Sequence, residues 1–207
     1  MRLHFLDCKL ILHILKCLVF LPADALIWHH CLSEFEGRWK MRTEWIDDDD
    51  WKRIKECLTE PNRLALEVSE RYGLRIGDVL KITTEQLRKG DFYVRERKTG
   101  KGKRIRICDT LRRRLLNVAG CKYAFEGRNR PDHTRTRQAV YNDIRRACRK
   151  NGIDGRIGCH TARKIYAVKR YGRYGLDGTQ KLLNHDSPTT TMIYALSDKL
   201  SSKKKAK

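Results

Sequence analysis

The stretch LLNHDSPTTTMIYA, Leu182 to Ala195, sets His185 nine residues before Tyr194 across an Asp186-Ser187-Pro188 turn. Ser187 and Pro188 suit the N-cap and first position of a helix. Serine accepts from an orphan N–H there, and proline lacks a donor that would have no partner anyway. Tyr194 rides on that short helix. Taken alone it reads as a packing group, the usual task of such a tyrosine. A phenol with a pKa of about 10 attacks only if a neighbour takes its proton or cations stabilise the phenolate. Whether Tyr194 does chemistry therefore depends on what the rest of the chain brings to it.

Three other stretches offer the needed groups. His160 and Arg163 stand three apart at the start of an expected helix, so they share one face at an anion-favouring end. Arg75 lies in RYGLRIGDVLKI (residues 71–82), between two glycines and before an apolar turn. An arginine there is either a surface group or a fork aimed at a phosphate oxygen. Asp78, three residues on, could hold that guanidinium in place. Lys98 sits beside glycines in KTGKGK (98–103). It is either part of a solvated basic turn or a mobile ammonium able to deliver a proton.

The remaining pattern frames these residues. Asp47–Asp50 precede Trp51, Ile54, Cys57 and Leu58 at helical spacing. Pro61 opens the next helix, which runs to Tyr72 with Gly73 as its stop. Residues 77–82 read as a helical turn. Phe92–Val94 and Arg104–Ile107 read as two strands joined by a glycine-containing turn. Asp109 is expected to cap a helix carrying Leu111, Leu115 and Leu116, followed by a polar loop, GRNRPDHTRTR. Further helices are expected over 136–151, 159–171 and 180–183, and after Pro188. The expectation is an α+β domain over 43–198, mostly helical, with one small antiparallel sheet.

The 207 residues carry 46 Lys+Arg against 25 Asp+Glu, a formal charge of +21. Such a charge opposes compaction and points to a polyanionic partner, with nucleic acid ahead of an anionic membrane surface. None of the eight cysteines forms a CxxC pair. A disulfide framework or zinc ribbon is therefore not expected, and reduced cysteines in a cytoplasmic protein are. No carboxylate cluster or P-loop suggests a metal or nucleotide. Residues 1–42 differ in character: LILHILKCLVFL (10–21) is apolar but too short to span a bilayer. The segment shares features with a signal peptide, but Asp7, Lys9 and Lys16 fit one badly, and a natural start at Met41 is the preferred expectation. Residues 199–207 read as a basic, solvated tail.

In this order, Arg75, Lys98, His160-x-x-Arg163, His185 and Tyr194 resemble the catalytic set of the tyrosine recombinases, the phage-integrase family. GLRIGDVL is similar to the family's first-arginine box, RERKTGKGKRIRI to its lysine hairpin, HTAR to its H-x-x-R box and NHDSPTTTMIY to its final histidine and tyrosine. Three departures stand out. Asn184 replaces the usual glycine, Lys164 replaces a frequent histidine, and residues 1–42 are too few for the family's N-terminal core-binding domain. The resemblance implies that Tyr194 attacks a DNA phosphate to give a 3′-phosphotyrosine, with Arg75, Arg163 and His185 on the phosphate. His160 is then the general base and Lys98 the acid for the leaving 5′-oxygen. It implies no cofactor and no metal. The implied partners are double-stranded DNA, a tetramer on that DNA, and an accessory DNA-bending or excisionase factor. Three alternatives stay open: an inactive integrase remnant that only binds DNA, a type IB topoisomerase-like enzyme, and an RNA-binding protein.

Overall fold

Four aspartates open the first helix. Asp47 caps it by accepting from Asp50 N at 2.9 Å, and Asp48–Asp50 sit in the first turn, where carboxylates complement the helix dipole. This helix, α1 (Asp48–Glu56), turns Trp51 and Ile54 into the core, and the indole N–H donates to Glu70 Oε2 at 3.0 Å. The computed structural model describes residues 44–128 and 130–195. The expectations for residues 1–42 and 199–207 lie outside the described residues.

Helix α2 (Glu60–Tyr72) begins with Pro61 and ends at Gly73, whose φ of 66° is the left-handed stop that glycine permits. A Cβ at Gly73 would lie 2.5 Å from Tyr166 Cε1, so close packing also requires glycine here. The short helix α3 (Ile76–Val79) follows. Then comes α4 (Thr84–Lys89), which the reading of residues 77–94 passed over. Its capping box is nonetheless legible: Thr83 Oγ1 accepts from Gln86 N, and Gln86 Oε1 from Thr83 N.

Strands β1 (Asp91–Arg95) and β2 (Gly102–Arg106) pair antiparallel, with Asp91 opposite Arg106 and Arg95 opposite Gly102. Lys103, expected in the turn, belongs to β2. After α5 (Asp109–Val118), a second two-stranded sheet forms from β3 (Glu126–Gly127) and β4 (Arg130–Thr134). This segment was expected to be loop, because it lacks the alternating apolar residues that mark a half-buried strand. Asp109 is the first residue inside α5 rather than its cap; Cys108 holds the cap position, and Asp109 pairs with Arg112 at 2.8 Å.

Helix α6 (Arg137–Lys150) is capped by Thr136, which accepts from Ala139 N at 3.0 Å. It buries Val140, Ile144, Ala147 and Cys148 along one face. Asp143 joins α6 to the start of α2 by accepting from Thr59 N, Thr59 Oγ1 and Asn62 Nδ2. Burial pushes the Asp143 carboxyl up, but those hydrogen bonds outweigh it and leave its pKa lowered.

The helices expected over 159–171 and 180–183 merge into α7 (His160–Leu183), broken at Gly175 (φ 64°, ψ −166°). Helix α8 (Pro188–Ala195) closes the described chain. Helices α2 and α8 both pack on α7. Among the described residues no helix is long and apolar enough to cross a membrane.

Candidate active site

Each candidate side chain sits where an element starts or stops, because backbone turns there bring distant segments together. Arg75 occupies the N-cap position of α3, two residues after the Gly73 turn. His160 and Arg163 lie on the first turn of α7. His185 follows the left-handed Asn184 that ends α7, and Tyr194 lies in the last turn of α8.

Arg163 is the centre of the arrangement. It is 1% exposed, and its guanidinium donates to Gly73 O and Leu183 O, both at 2.5 Å. These carbonyls belong to the ends of α2 and α7, where backbone acceptors lack helical partners. Burial, and next the charge of Arg75, lower the Arg163 pKa to about 10, so it stays charged at neutral pH.

The two histidines are neutral at that pH. Burial lowers the His160 pKa to about 4, helped by Arg137, Arg163 and Arg75. It lowers that of His185 to about 3, helped by Arg163, Arg75 and Lys98. The His185 ring is further fixed by a 3.0 Å hydrogen bond between Nδ1 and Thr191 Oγ1. With Nδ1 engaged, Nε2 is the nitrogen available to a ligand.

Tyr194 packs edge-on to His185, with ring centroids 5.4 Å apart. The Lys164 ammonium stands 5.8 Å from the Tyr194 ring centroid. Burial raises the phenol pKa, while Arg163 and Arg75 act to lower it. The two opposed influences leave a protonated nucleophile candidate that needs a base.

Lys98 is exposed in the turn between β1 and β2. Lys103 behaves differently. Its ammonium donates to Tyr72 O at 2.6 Å and Leu182 O at 2.7 Å, again at the ends of α2 and α7. Burial first, then Arg163, lowers its pKa to about 8.

Two site residues escaped the sequence reading. The carboxylate on Arg75 is not Asp78 but Glu96, which is fully buried and pairs with Arg75 Nη1. Asp78 Oδ1 instead accepts from Arg97 N at 3.2 Å, holding the strand end. The signal for Glu96 was the strand period: Phe92 and Val94 face inward, and Glu96 continues their alternation. The second is Thr191, one of three consecutive threonines, which sequence could not distinguish from its neighbours.

The arrangement thus gathers two guanidiniums, two neutral imidazoles and a phenol, with an ammonium on an adjoining turn. Chemically it suits an anion that must be held while a proton leaves the phenol. The family model described as the phage integrase family matches residues 44–200. A relative named "Probable integrase/recombinase YoeC", from Bacillus subtilis (strain 168), is 30% identical over 132 residues, 58% of this chain and 69% of that protein. "Tyrosine recombinase XerD" from Pseudomonas putida is 29% identical over 159 residues, 68% of this chain and 51% of that protein. The chain therefore spans about half the length of the second relative. A solved lambda integrase(75-356) dimer bound to a COC′ core site shares the fold, with TM-score 0.63 at 21% identity over 76% of this chain and 61% of that one.

Proposed function

The chain belongs to the phage integrase family, and from that premise we propose that it cuts and rejoins duplex DNA at a specific site through a phosphotyrosine on Tyr194. The observation that carries this reading is the convergence of Arg75, Arg163 and His185 on one tyrosine, with His160 beside the same two arginines.

The steps follow from the charges. Arg75 and Arg163 hold the non-bridging oxygens of a scissile phosphate, where negative charge grows in the transition state. His185 Nε2 donates to the same phosphate. Neutral His160 accepts the Tyr194 proton as Oη attacks phosphorus. The bond from phosphorus to the 5′-oxygen breaks, and Lys98 gives that oxygen a proton. A 3′-phosphotyrosine and a free 5′-hydroxyl remain. The reverse attack by a 5′-hydroxyl reseals the strand, so the bond energy is kept and no ATP is needed. Bound phosphate also brings an anion to the two imidazoles, which raises their pKa values toward the range where proton exchange is useful.

Duplex DNA is the proposed substrate, with several copies of the chain assembling on it. The charge of +21 supports a strong, salt-dependent attraction to the backbone. The test is covalent trapping on a nicked suicide duplex. Wild-type protein is expected to accumulate a protein–DNA adduct. Tyr194→Phe is expected to form none while binding the duplex with the same salt dependence. Adducts at wild-type level in that variant would overturn the assignment, and binding without any wild-type adduct would leave a DNA-binding role alone.

A further inference from the structure

A carboxylate does not sit inside a protein without partners, since an uncompensated buried charge is strongly destabilising. Glu96, fully buried, has four. Oε2 pairs with Arg75 Nη1 and accepts from Thr99 Oγ1 at 3.3 Å. Oε1 accepts from Asn184 Nδ2 at 3.2 Å and stands 4.0 Å from Arg163 Nη1. One side chain therefore touches both guanidiniums, the turn that carries Lys98, and the residue before His185.

Asn184 strengthens the point. Its φ of 53° makes it the one non-glycine residue with positive φ among the described residues. The left-handed region favours glycine at the end of a helix. What asparagine adds there is an amide, and that amide reaches Glu96. The same two segments meet twice more, through Lys101 Nζ to Asp186 Oδ1 and Lys103 Nζ to Leu182 O, both at 2.7 Å.

We propose that Glu96 is a positioning residue: it holds Arg75 and Arg163 side by side and, through Asn184, fastens the turn bearing Lys98 to the segment bearing His185. Two guanidiniums brought together away from water repel one another. A carboxylate between them offsets that repulsion and engages only part of Arg75, whose side chain remains 18% exposed. The remaining N–H groups of that fork are left for a phosphate oxygen. The kinetic part of this inference rests on the phosphoryl-transfer reading above; the fastening of the two segments does not.

The test uses the full chain with Glu96→Gln, which keeps size and removes charge, and Asn184→Gly, which removes the amide at no backbone cost. In the DNA-free protein, hydrogen exchange at the bonded amides of Glu96, Arg97 and Gly100 is expected to speed up about fivefold or more in Asn184→Gly. On the nicked duplex, Glu96→Gln is expected to slow adduct formation roughly 10–100-fold, with duplex affinity at fixed salt within about twofold of wild type. Adduct formation by Glu96→Gln at or above the wild-type rate would overturn the proposal, since the carboxylate would then compete with phosphate. Unchanged exchange in Asn184→Gly would overturn the fastening. If wild type forms no adduct, the phosphotyrosine reading fails, and the exchange measurement decides this inference alone.

Discussion

The Nδ1 hydrogen bond of His185 to Thr191 is the smallest contact on which the proposed chemistry depends. It orients the imidazole and leaves Nε2 as the nitrogen available to a ligand. Thr191→Val keeps the shape and removes the hydroxyl. Stability is expected to drop by about 1 kcal/mol, and adduct formation by about tenfold, as the ring loses its fixed orientation. Parallel denaturation and trapping experiments check both. The neutral histidines also leave a pH signature. Their pKa values in the folded chain, about 4 for His160 and about 3 for His185, lie below the ordinary value of 6.5. The unfolded chain therefore binds more protons as pH falls, so the stability from keeping these rings neutral is complete above about pH 6.5 and is lost toward the folded values. Melting temperature is expected to fall between pH 7 and 5, a range above most carboxylate titrations. His185→Gln should flatten that slope, and an equal slope in the variant would contradict the assignment.

At the scale of elements, turns decide where the site forms. Gly73 ends α2, offers its carbonyl to Arg163 and lies against the Tyr166 ring. Gly73→Ala combines a left-handed alanine with a clash. It is expected to cost about 2–4 kcal/mol by chemical denaturation and to slow adduct formation as well. Thr136→Ala removes only the cap of α6 and should cost about 1 kcal/mol with no effect on trapping. The elements were mostly legible in sequence because their signals are local: aspartates before Trp51, Pro61 and Gly73 around α2, Thr136 before α6, and Pro188 opening α8. Those that were missed carry weak local signals. Helix α4 is six residues long, and the β3–β4 pair has no apolar alternation. The break at Gly175 keeps the chain helical on both sides, where separate helices over 159–171 and 180–183 were expected.

At the scale of the whole molecule, attraction to the proposed DNA substrate and orientation on it are separate matters. The formal charge of +21 comes from residues spread along the chain. Neutralising about six phosphates is expected to weaken binding roughly a thousandfold between 50 and 200 mM salt, as read by equilibrium binding at several ionic strengths. Tyr194→Phe should follow the same curve. Lys103 adds no comparable attraction, since its ammonium is spent on the carbonyls that end α2 and α7. It joins the two helix ends, and the charge proposed to meet DNA lies on exposed residues such as Lys98, with Arg75 and Arg163 at the scissile phosphate.

The sequence by itself determined the helical frame, the hairpin, the basic character and the ordered set from Arg75 to Tyr194, because spacing, capping and charge are written along the chain. It also carried the family, since that set and its gaps survive in a linear reading. The tertiary structure alone decided which carboxylate meets Arg75. Asp78 is near in sequence, but the α3 turn aims it at Arg97 N, while the β1 pleat delivers Glu96 from 21 residues away. It likewise separated an exposed Lys98 from a half-buried Lys103, five residues apart on one hairpin. Partners across such gaps are chosen by packing, and packing has no period to read.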